Sequence, residues 1–371
     1  MPKKIILVTG SNGFIARNIL LHLSEDPDIE TICFTRNDSI DELPAIIASV
    51  DIVLHLAGEN RPKNPIDFTT NNVELTSAIC NAIKNTNRNI PLIFASSIQA
   101  ENDSDYGKSK LAAEKIIEAL VSETNNSAII YRLVGIFGKY AKPNYNSVVA
   151  TFCHNIARGY PIQINDPHYE LQLGYIDDVI EEFLSYINFV KPGLTWGSIK
   201  TIYSITLGDL AKKINNFKNS RTNLIIERVG SGLTHALYST YISYIPNKKF
   251  IYDLLKHEDE RGIFVEMLKT IDSGQFSFLT VNPKMTRGSH YHHTKTEKFL
   301  VVSGKVKMRY RNLITGEIHE FILCSKKPQV IDTIPGWVHD ITNIGKEVAI
   351  IILWANEIFN PDNPDCFHCE V

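Results

Sequence analysis

The chain opens on KKIILVTG, a short apolar run rich in β-branched residues. It continues into GFIARNILLHLSE, where Ile15, Ile19 and Leu23 recur every four positions. Recurrence at that interval marks one buried helix face, and the run before it fits a strand buried on both sides. The alternation returns along the first two-thirds: TICFTR, DIVLHLAG, PLIFASS and SAIIYRL read as buried strands with helical stretches between them. Strands alternating with helices predict an α/β fold, a doubly wound parallel sheet of Rossmann type covered on both faces. After YISYIPNKKF the period changes. IFVEMLKT, QFSFLTVN, KFLVVSGKVKMRYRN, EIHEFILC, PQVIDTI and EVAIIILWAN are strand-length runs separated by Gly, Pro, Asn and Lys turns. That texture predicts an all-β sandwich or jelly roll. The expected domains are residues 1–245 and 246–371.

A length of 371 residues accommodates two domains of ordinary size. Hydrophobic residues at 44% and charged residues at 21% are what a soluble globular protein carries. Thirty-eight basic against 41 acidic side chains leave a net charge of −3. With no basic block, a nucleic-acid partner is not expected. The opening apolar run is too short for a signal peptide, and VAIIILWA is too short to cross a bilayer, so a cytoplasmic setting without membrane association is expected. The six cysteines, Cys33, Cys80, Cys153, Cys324, Cys366 and Cys369, show no disulfide-framework spacing. CFHC at 366–369 lacks a second cysteine pair to complete a metal site.

The first strand ends in TGSNGFIA, with Gly10 and Gly13 separated by Ser11 and Asn12 and followed by Phe14, Ile15 and Ala16. In a strand-to-helix turn of this kind Gly10 permits the tight turn, Gly13 lets backbone approach a pyrophosphate, and Ala16 is small enough for helix–strand packing. The second strand ends FTRN, without the acidic residue that binds a ribose 2′-hydroxyl; Arg36 stands where a 2′-phosphate is neutralised, so NADP(H) is expected over NAD(H). In DYGKSK, Tyr106 and Lys110 lie four apart on a helix and share a face. An ammonium near the phenol is expected to lower its pKa and make Tyr106 a usable proton donor or acceptor. FASSIQA places Ser96 and Ser97 at the carboxyl edge of the sheet, where ligands bind in such folds.

In the last third, Gly288-x-His290-x-His292-x4-Glu297-x6-Gly304 is followed by Pro335-Gly336-x2-His339-x3-Asn343. On a strand, His290 and His292 point to the same side. Glu297 and His339, arriving from other strands, complete three nitrogens and one oxygen for a divalent metal. Zinc is the first candidate, although imidazole-rich sites also suit iron, nickel and copper.

These strings carry a resemblance. TGSNGFIA, DIVLHLAG, FASS, YGKSK, YRLVGIFG and LGYIDDV resemble an extended short-chain dehydrogenase/reductase of the nucleotide-sugar branch, although Gly135 stands where that family often has Asn. The resemblance implies that Gly10, Asn12, Gly13, Phe14, Ile15, Arg36, Leu56, Ala57 and Gly58 hold the cofactor. It also implies that Ser97 or Ser96 holds a substrate carbonyl, that Tyr106 is the general acid, and that Lys110 grips the nicotinamide ribose. The two histidine motifs match the cupin superfamily. DERGIFVE and TRGSHYHH resemble deoxynucleotide-sugar 3,5-epimerases, which implies phosphate contacts for Arg261 and Arg287, a base at His290 and an enolate-stabilising Lys298. A metal-bound imidazole has no free lone pair, so His290 cannot be both ligand and base; His293, Lys298 or a metal-bound water remain as bases. EVAIIILWAN lacks the tyrosine those epimerases use for protonation, which favours a single inversion.

Reductase first and cupin second is the arrangement of the bifunctional capsular-polysaccharide UDP-sugar epimerase/reductases (CapF type). That family implies a homodimer acting on a UDP-linked 4-keto-6-deoxy-N-acetylhexosamine: epimerisation at C3, then reduction of the C4 ketone by NADPH. The implied product is UDP-2-acetamido-2,6-dideoxy-L-talose, used for UDP-L-FucNAc. Two alternatives stay open. The cupin half is only a dimerisation or binding module, or the chain is an NADP(H)-sensing scaffold, against which the intact Ser, Tyr and Lys argue.

Overall fold

The structure is a computed structural model that describes residues 2–60, 64 and 66–371. The chain forms two compact units, residues 1–214 with 235–245, and residues 215–234 with 246–371.

In the first unit, strands β1 (Lys4–Thr9), β2 (Ile29–Phe34), β3 (Ile52–His55), β4 (Leu92–Ser97) and β5 (Ala128–Leu133) follow one another in the chain. Short strands β6 (Gly135–Phe137) and β7 (Glu170–Tyr175), β8 (Leu194–Gly197) and β9 (Tyr203–Thr206) come next. A six-stranded sheet runs in the order β2-β1-β3-β4-β5-β8 with every neighbouring pair parallel. Except in the edge strand β2, the apolar runs predicted as strands are buried on both sides, as a parallel sheet requires. Alternate strand residues Ile6, Val8, Leu54, Ile93 and Ala95 pack with helices α1 (Phe14–Ser24) and α7 (Ile176–Asn188). Leu7, Val53, Leu92 and Phe94 pack on the opposite face with α2 (Leu43–Ser49), α4 (Leu75–Asn85) and α5 (Asp105–Glu123). The single turn α3 (Ile66–Phe68) enters α4 through a π-helical stretch, Thr69–Glu74. Helix α6 (Val148–Arg158) follows β6.

The second unit contains β10 (Ile225–Ile226), β11 (Lys256–Asp259), β12 (Gly262–Thr270), β13 (Gly274–Val281), β14 (Thr286–Tyr291) and β15 (Glu297–Ser303). It continues with β16 (Lys305–Asn312), β17 (Ile318–Cys324), β18 (Val330–Asp332), β19 (Trp337–Asn343), β20 (Ala349–Ala355) and β21 (Phe367–His368). Residues 215–234 belong with it because β10 pairs with the end of β12. They include the end of α8 (Leu207–Asn223) and the start of α9 (Gly232–Ser243). One sheet runs β10-β12-β13-β20-β15-β18, with β11 added on β12, and the other β17-β16-β19-β14-β21. Leu279, Phe299, Val301, Ile351 and Leu353 from the first face Val306, Met308, Tyr310, Leu323 and Ile341 from the second across one apolar core. The period-two pattern of strands such as β15, buried at Glu297, Phe299 and Val301 and open between them, builds that core.

Candidate functional sites

The first unit's strand order reverses between β1 and β3, which places a ligand crevice at their carboxyl ends. There Gly10 adopts φ +65°, and a Cβ on it would stand 2.7 Å from the Ala57 Cα. A Cβ on Gly13 would meet the Gly10 carbonyl oxygen at 2.9 Å. The turn is therefore a cradle that only bare backbone can form. Gly13 caps α1 without a side-chain hydrogen bond, so first-turn N–H groups are left for an anion. Asn12 is exposed in the turn, while Phe14, Ile15 and Leu56 pack partly buried against the core beneath it. These residues fit a dinucleotide.

Arg36, just past β2, reaches Glu59 at 2.7 Å. Glu59 is buried; its backbone is gripped on both sides by Asn72, and the Tyr145 hydroxyl donates to its carboxylate at 3.2 Å. Motif reading did not single out Glu59 or Asn72, since neither belongs to the glycine turn. Their signal lies in position, directly after Gly58 and on the helix that covers it.

The helix bearing Tyr106 begins at Ser104, whose Oγ accepts from the Gly107 N–H at 3.0 Å. Gly107 is needed there, because a Cβ would lie 2.2 Å from the Gln99 carbonyl oxygen. The turn after β4 thereby packs on the first turn of α5, and Ser97 and Tyr106 come within hydrogen-bonding reach. Ser97 also accepts from the Gln99 N–H at 3.2 Å. Ser96 behaves differently: its hydroxyl is withdrawn to Glu114, which is clamped by Arg132 at 3.0 and 2.7 Å. Adjacent strand residues face opposite sides, so of the two serines only Ser97 stands by the phenol.

Lys110 is buried, donates to the Ala95 carbonyl oxygen at 2.9 Å and lies 4.8 Å from the Phe94 ring centroid. Burial, opposed by Glu114, pushes its pKa down to about 8. Tyr106 departs from expectation. Burial raises its phenol, and the hydrogen bond with Ser97 only partly opposes this, because desolvation disfavours the phenolate. Beneath them His55, held between Thr9 and Thr76 at 2.8 Å each, is pushed to about 3 by burial and then by Lys110. It is a neutral core imidazole.

In the second unit, His290, His292, Glu297 and His339 converge, with one ligand atom from each within 4.8 Å of the others. His290 is paired across β14 and β19 with His339. A bulge makes this possible: Gly288 and Ser289 take φ +94° and +58°, and the register shifts between Gly288 and His290. The shift turns Arg287 and His290, three residues apart, to the same interior face. A Cβ on Gly288 would approach the His339 carbonyl oxygen to 2.9 Å.

Both ring nitrogens of His339 are buried without a hydrogen-bond partner. His292 Nε2 and His339 Nε2 lie 3.4 and 3.5 Å from one Glu297 oxygen. Burial, then the neighbouring imidazole of His339, lowers His290 to about 4 against the pull of Glu297. Burial works to raise Glu297, but the imidazoles of His292 and His339 and the Lys295 ammonium around it hold it well below the usual carboxylate range. Three imidazoles and a carboxylate around a buried, unsatisfied centre fit a divalent metal.

Two expected residues do not join them. Lys298 follows Glu297 on β15 and points to the outer face, half-exposed and paired with Asp332. His293 is exposed, its ring packed on Tyr291 and Phe367 at 5.5 and 4.8 Å. The cation beside the cluster is Lys295, nearly buried, with Nζ 3.2 Å from Glu297. Motif reading did not name Lys295, which lies in the loop before β15, where no strand period sets its direction. Arg261 and Arg287 meet on Asp259 at 2.6 and 3.1 Å, forming one basic pair. The six cysteines are unpaired, and no helix among the described residues is long and apolar enough to cross a membrane.

Residues 6–197 match the NAD dependent epimerase/dehydratase family, and residues 257–367 match the polysaccharide biosynthesis C-terminal domain. The chain is 50% identical, over 99% of its length and 98% of the relative's, to a UDP-2-acetamido-2,6-beta-L-arabino-hexul-4-ose reductase of Pseudomonas aeruginosa. The crystal structure of the capsular polysaccharide assembling protein CapF from Staphylococcus aureus superimposes with a TM-score of 0.92 at 38% identity, covering 99% of this chain and all of that one. A UDP-N-acetylglucosamine 4-epimerase from Methanobrevibacter ruminantium M1 shares the fold over 66% of this chain and 99% of its own, with a TM-score of 0.56 at 18% identity. The chain therefore belongs to the nucleotide-sugar reductases of capsular polysaccharide biosynthesis in which an epimerase/dehydratase-family domain precedes a polysaccharide biosynthesis C-terminal domain.

Proposed function

We propose that the chain is a bifunctional enzyme whose two domains serve one carbonyl of a UDP-linked 4-keto-6-deoxy-N-acetylhexosamine. The all-β domain (246–371) inverts C3, and the α/β domain (1–245) reduces the C4 ketone, giving UDP-2-acetamido-2,6-dideoxy-L-talose for UDP-L-FucNAc and capsule synthesis. The observation that carries the reading is Ser97 and Tyr106 within hydrogen-bonding reach, with Lys110 buried on the same helix face. The substrate in the name of the Pseudomonas relative, a 4-ulose, supports it.

Ser97 would orient the ketone oxygen. Tyr106, kept protonated by burial, would donate its proton to that oxygen as hydride reaches the carbon. Lys110, charged at neutral pH, would hold the nicotinamide ribose. Bound NADPH supplies the hydride; the Gly10–Gly13 turn would seat its pyrophosphate and Arg36 its 2′-phosphate. His290, His292, Glu297 and His339 would hold zinc, which when bound polarises a carbonyl or contributes folding energy. With Lys298 and His293 turned outward, Lys295 is the ammonium left to face enolate charge, while Arg261 and Arg287 would take up the diphosphate. The family resemblance supports a cytoplasmic homodimer.

A second reading keeps the reductase and makes the β domain a dimerisation or binding module. Three histidines and a glutamate would supply four protein ligands, the number that closes a structural zinc site. Incubating the 4-keto sugar nucleotide with enzyme in D₂O without NADPH separates the two. Deuterium at C3 is expected; an unlabelled sugar from an enzyme that still oxidises NADPH would establish the second reading.

A further inference from the structure

The segment that includes CFHC has no part in either proposed reaction, yet its polar groups gather at the histidine–glutamate cluster. The loop from His292 to Glu297 turns three successive N–H groups toward one carboxylate, that of Asp365. His293 donates to Oδ1 at 2.8 Å, and Thr294 and Lys295 donate to Oδ2 at 2.7 and 2.8 Å. The Thr294 hydroxyl adds a fourth bond at 3.0 Å. The backbone carbonyl of Asp365 accepts from Nδ1 of His292 itself. Beyond it, β21 pairs with β14, setting His368 opposite His290 and Phe367 opposite Tyr291. The Cys369 N–H donates to the Ser289 carbonyl oxygen, in the bulge that aims His290, at 3.0 Å. Arg311 on β16 holds the far end through the Glu370 carbonyl oxygen and, at 3.2 Å, the Cys369 sulfur.

A carbonyl oxygen only accepts, so a neutral His292 carries its proton on Nδ1 and presents the Nε2 lone pair to the Glu297 carboxylate 3.4 Å away. With a metal bound, that tautomer lets the His292 Nε2 and the Glu297 oxygen, 3.4 Å apart, face one cation together. We propose that residues 365–370 form a clamp for the metal centre, with Asp365 as its positioning residue. The carbonyl of Asp365 selects the ligating tautomer of His292, and its carboxylate fixes the loop that sets the spacing of His292 and Glu297. Outer-shell partners of this kind contribute about 10–100-fold in metal affinity. The clamp rests on the proposed metal site, and its test treats the two separately.

Zinc affinity of the full chain is measured by competition with a chromophoric chelator, beside thermal unfolding of the zinc-free and zinc-loaded protein. The unaltered chain should bind zinc tightly; failure to do so removes the metal reading and the clamp with it. Asp365→Ala should weaken zinc binding about 10–100-fold and shrink the gap between loaded and zinc-free unfolding midpoints. Asp365→Asn, which keeps the carbonyl and one side-chain acceptor, should fall between the two; it also serves if the alanine variant does not fold. A purely structural strap would lower both midpoints equally and leave zinc affinity unchanged, and that result would overturn the proposal.

Discussion

Replacing Lys110 by methionine tests the electrostatics of the reductase site directly. Lys110 is 4% exposed, and its ammonium donates to the Ala95 carbonyl oxygen at 2.9 Å. Burial moves its pKa from 10.5 to about 8. At 1.36 kcal/mol per pKa unit the gap corresponds to about 3 kcal/mol of stability linked to one proton. Between pH 8 and 10.5 the unfolded chain still holds a proton that the folded domain has shed. The unfolded state then binds more protons, so stability rises with pH across this window. Below it both states are protonated, the slope vanishes and the full penalty is present. Lys110→Met fills similar volume and has no proton to lose.

Trp196 is the one tryptophan of the first unit, since the chain's other two are Trp337 and Trp354. With those two changed to phenylalanine, denaturant unfolding followed by Trp196 fluorescence reports the α/β domain alone. The stability difference between parent and Lys110→Met should change by about 3 kcal/mol from pH 7.5 to 10.5, with the parent gaining. Other titrating groups cancel in that difference. Parallel profiles would refute a buried, proton-shedding Lys110.

Further outcomes follow from the geometry. Ser97→Ala should lower kcat of ketone reduction about 10²-fold or more. Ser96→Ala should leave kcat nearly intact and lower stability by about 1–3 kcal/mol, because Glu114 loses a buried partner; steady-state kinetics and a melt on each variant check this. Arg36→Ala should raise KM for NADPH about tenfold or more, from the loss of one charge-assisted bond, with KM for NADH little changed. Gly288→Ala forces a side chain into φ +94° and against His339; a cost of about 1–3 kcal/mol should appear as weaker zinc binding in a chelator competition. Lys298→Ala should leave deuterium incorporation at C3 at the parent rate, while Lys295→Ala slows it at least about tenfold, a general acid–base or electrostatic contribution; the reverse order would return Lys298 to the site.

Much of both sites was legible in the sequence because their signals are local. Gly10 and Gly13 sit within one turn, Tyr106 and Lys110 within one helical repeat, and His290 and His292 within one strand period, so short-range geometry brings each set together. Ser96 and Ser97 could not be separated that way. Which of two neighbours faces the cleft depends on Glu114 and Arg132, which draw Ser96 to the other side of β4. Lys298 was misplaced because motif order ignores the alternation that sends it outward beside an inward Glu297.

The sequence by itself determined the two fold classes, the order of the domains and the identity of the four metal-ligating candidates, since hydrophobic period and motif spacing are written in consecutive residues. Tertiary structure alone decided which side chains complete the sites. Glu59 meets Arg36 only where β2 and β3 flank β1, and Arg287 shares a face with His290 only through a bulge at Gly288. Asp365 reaches the loop after His292 across about seventy residues. Such contacts depend on strand pairing and register, which are set by the whole packed core and not by any one stretch of it.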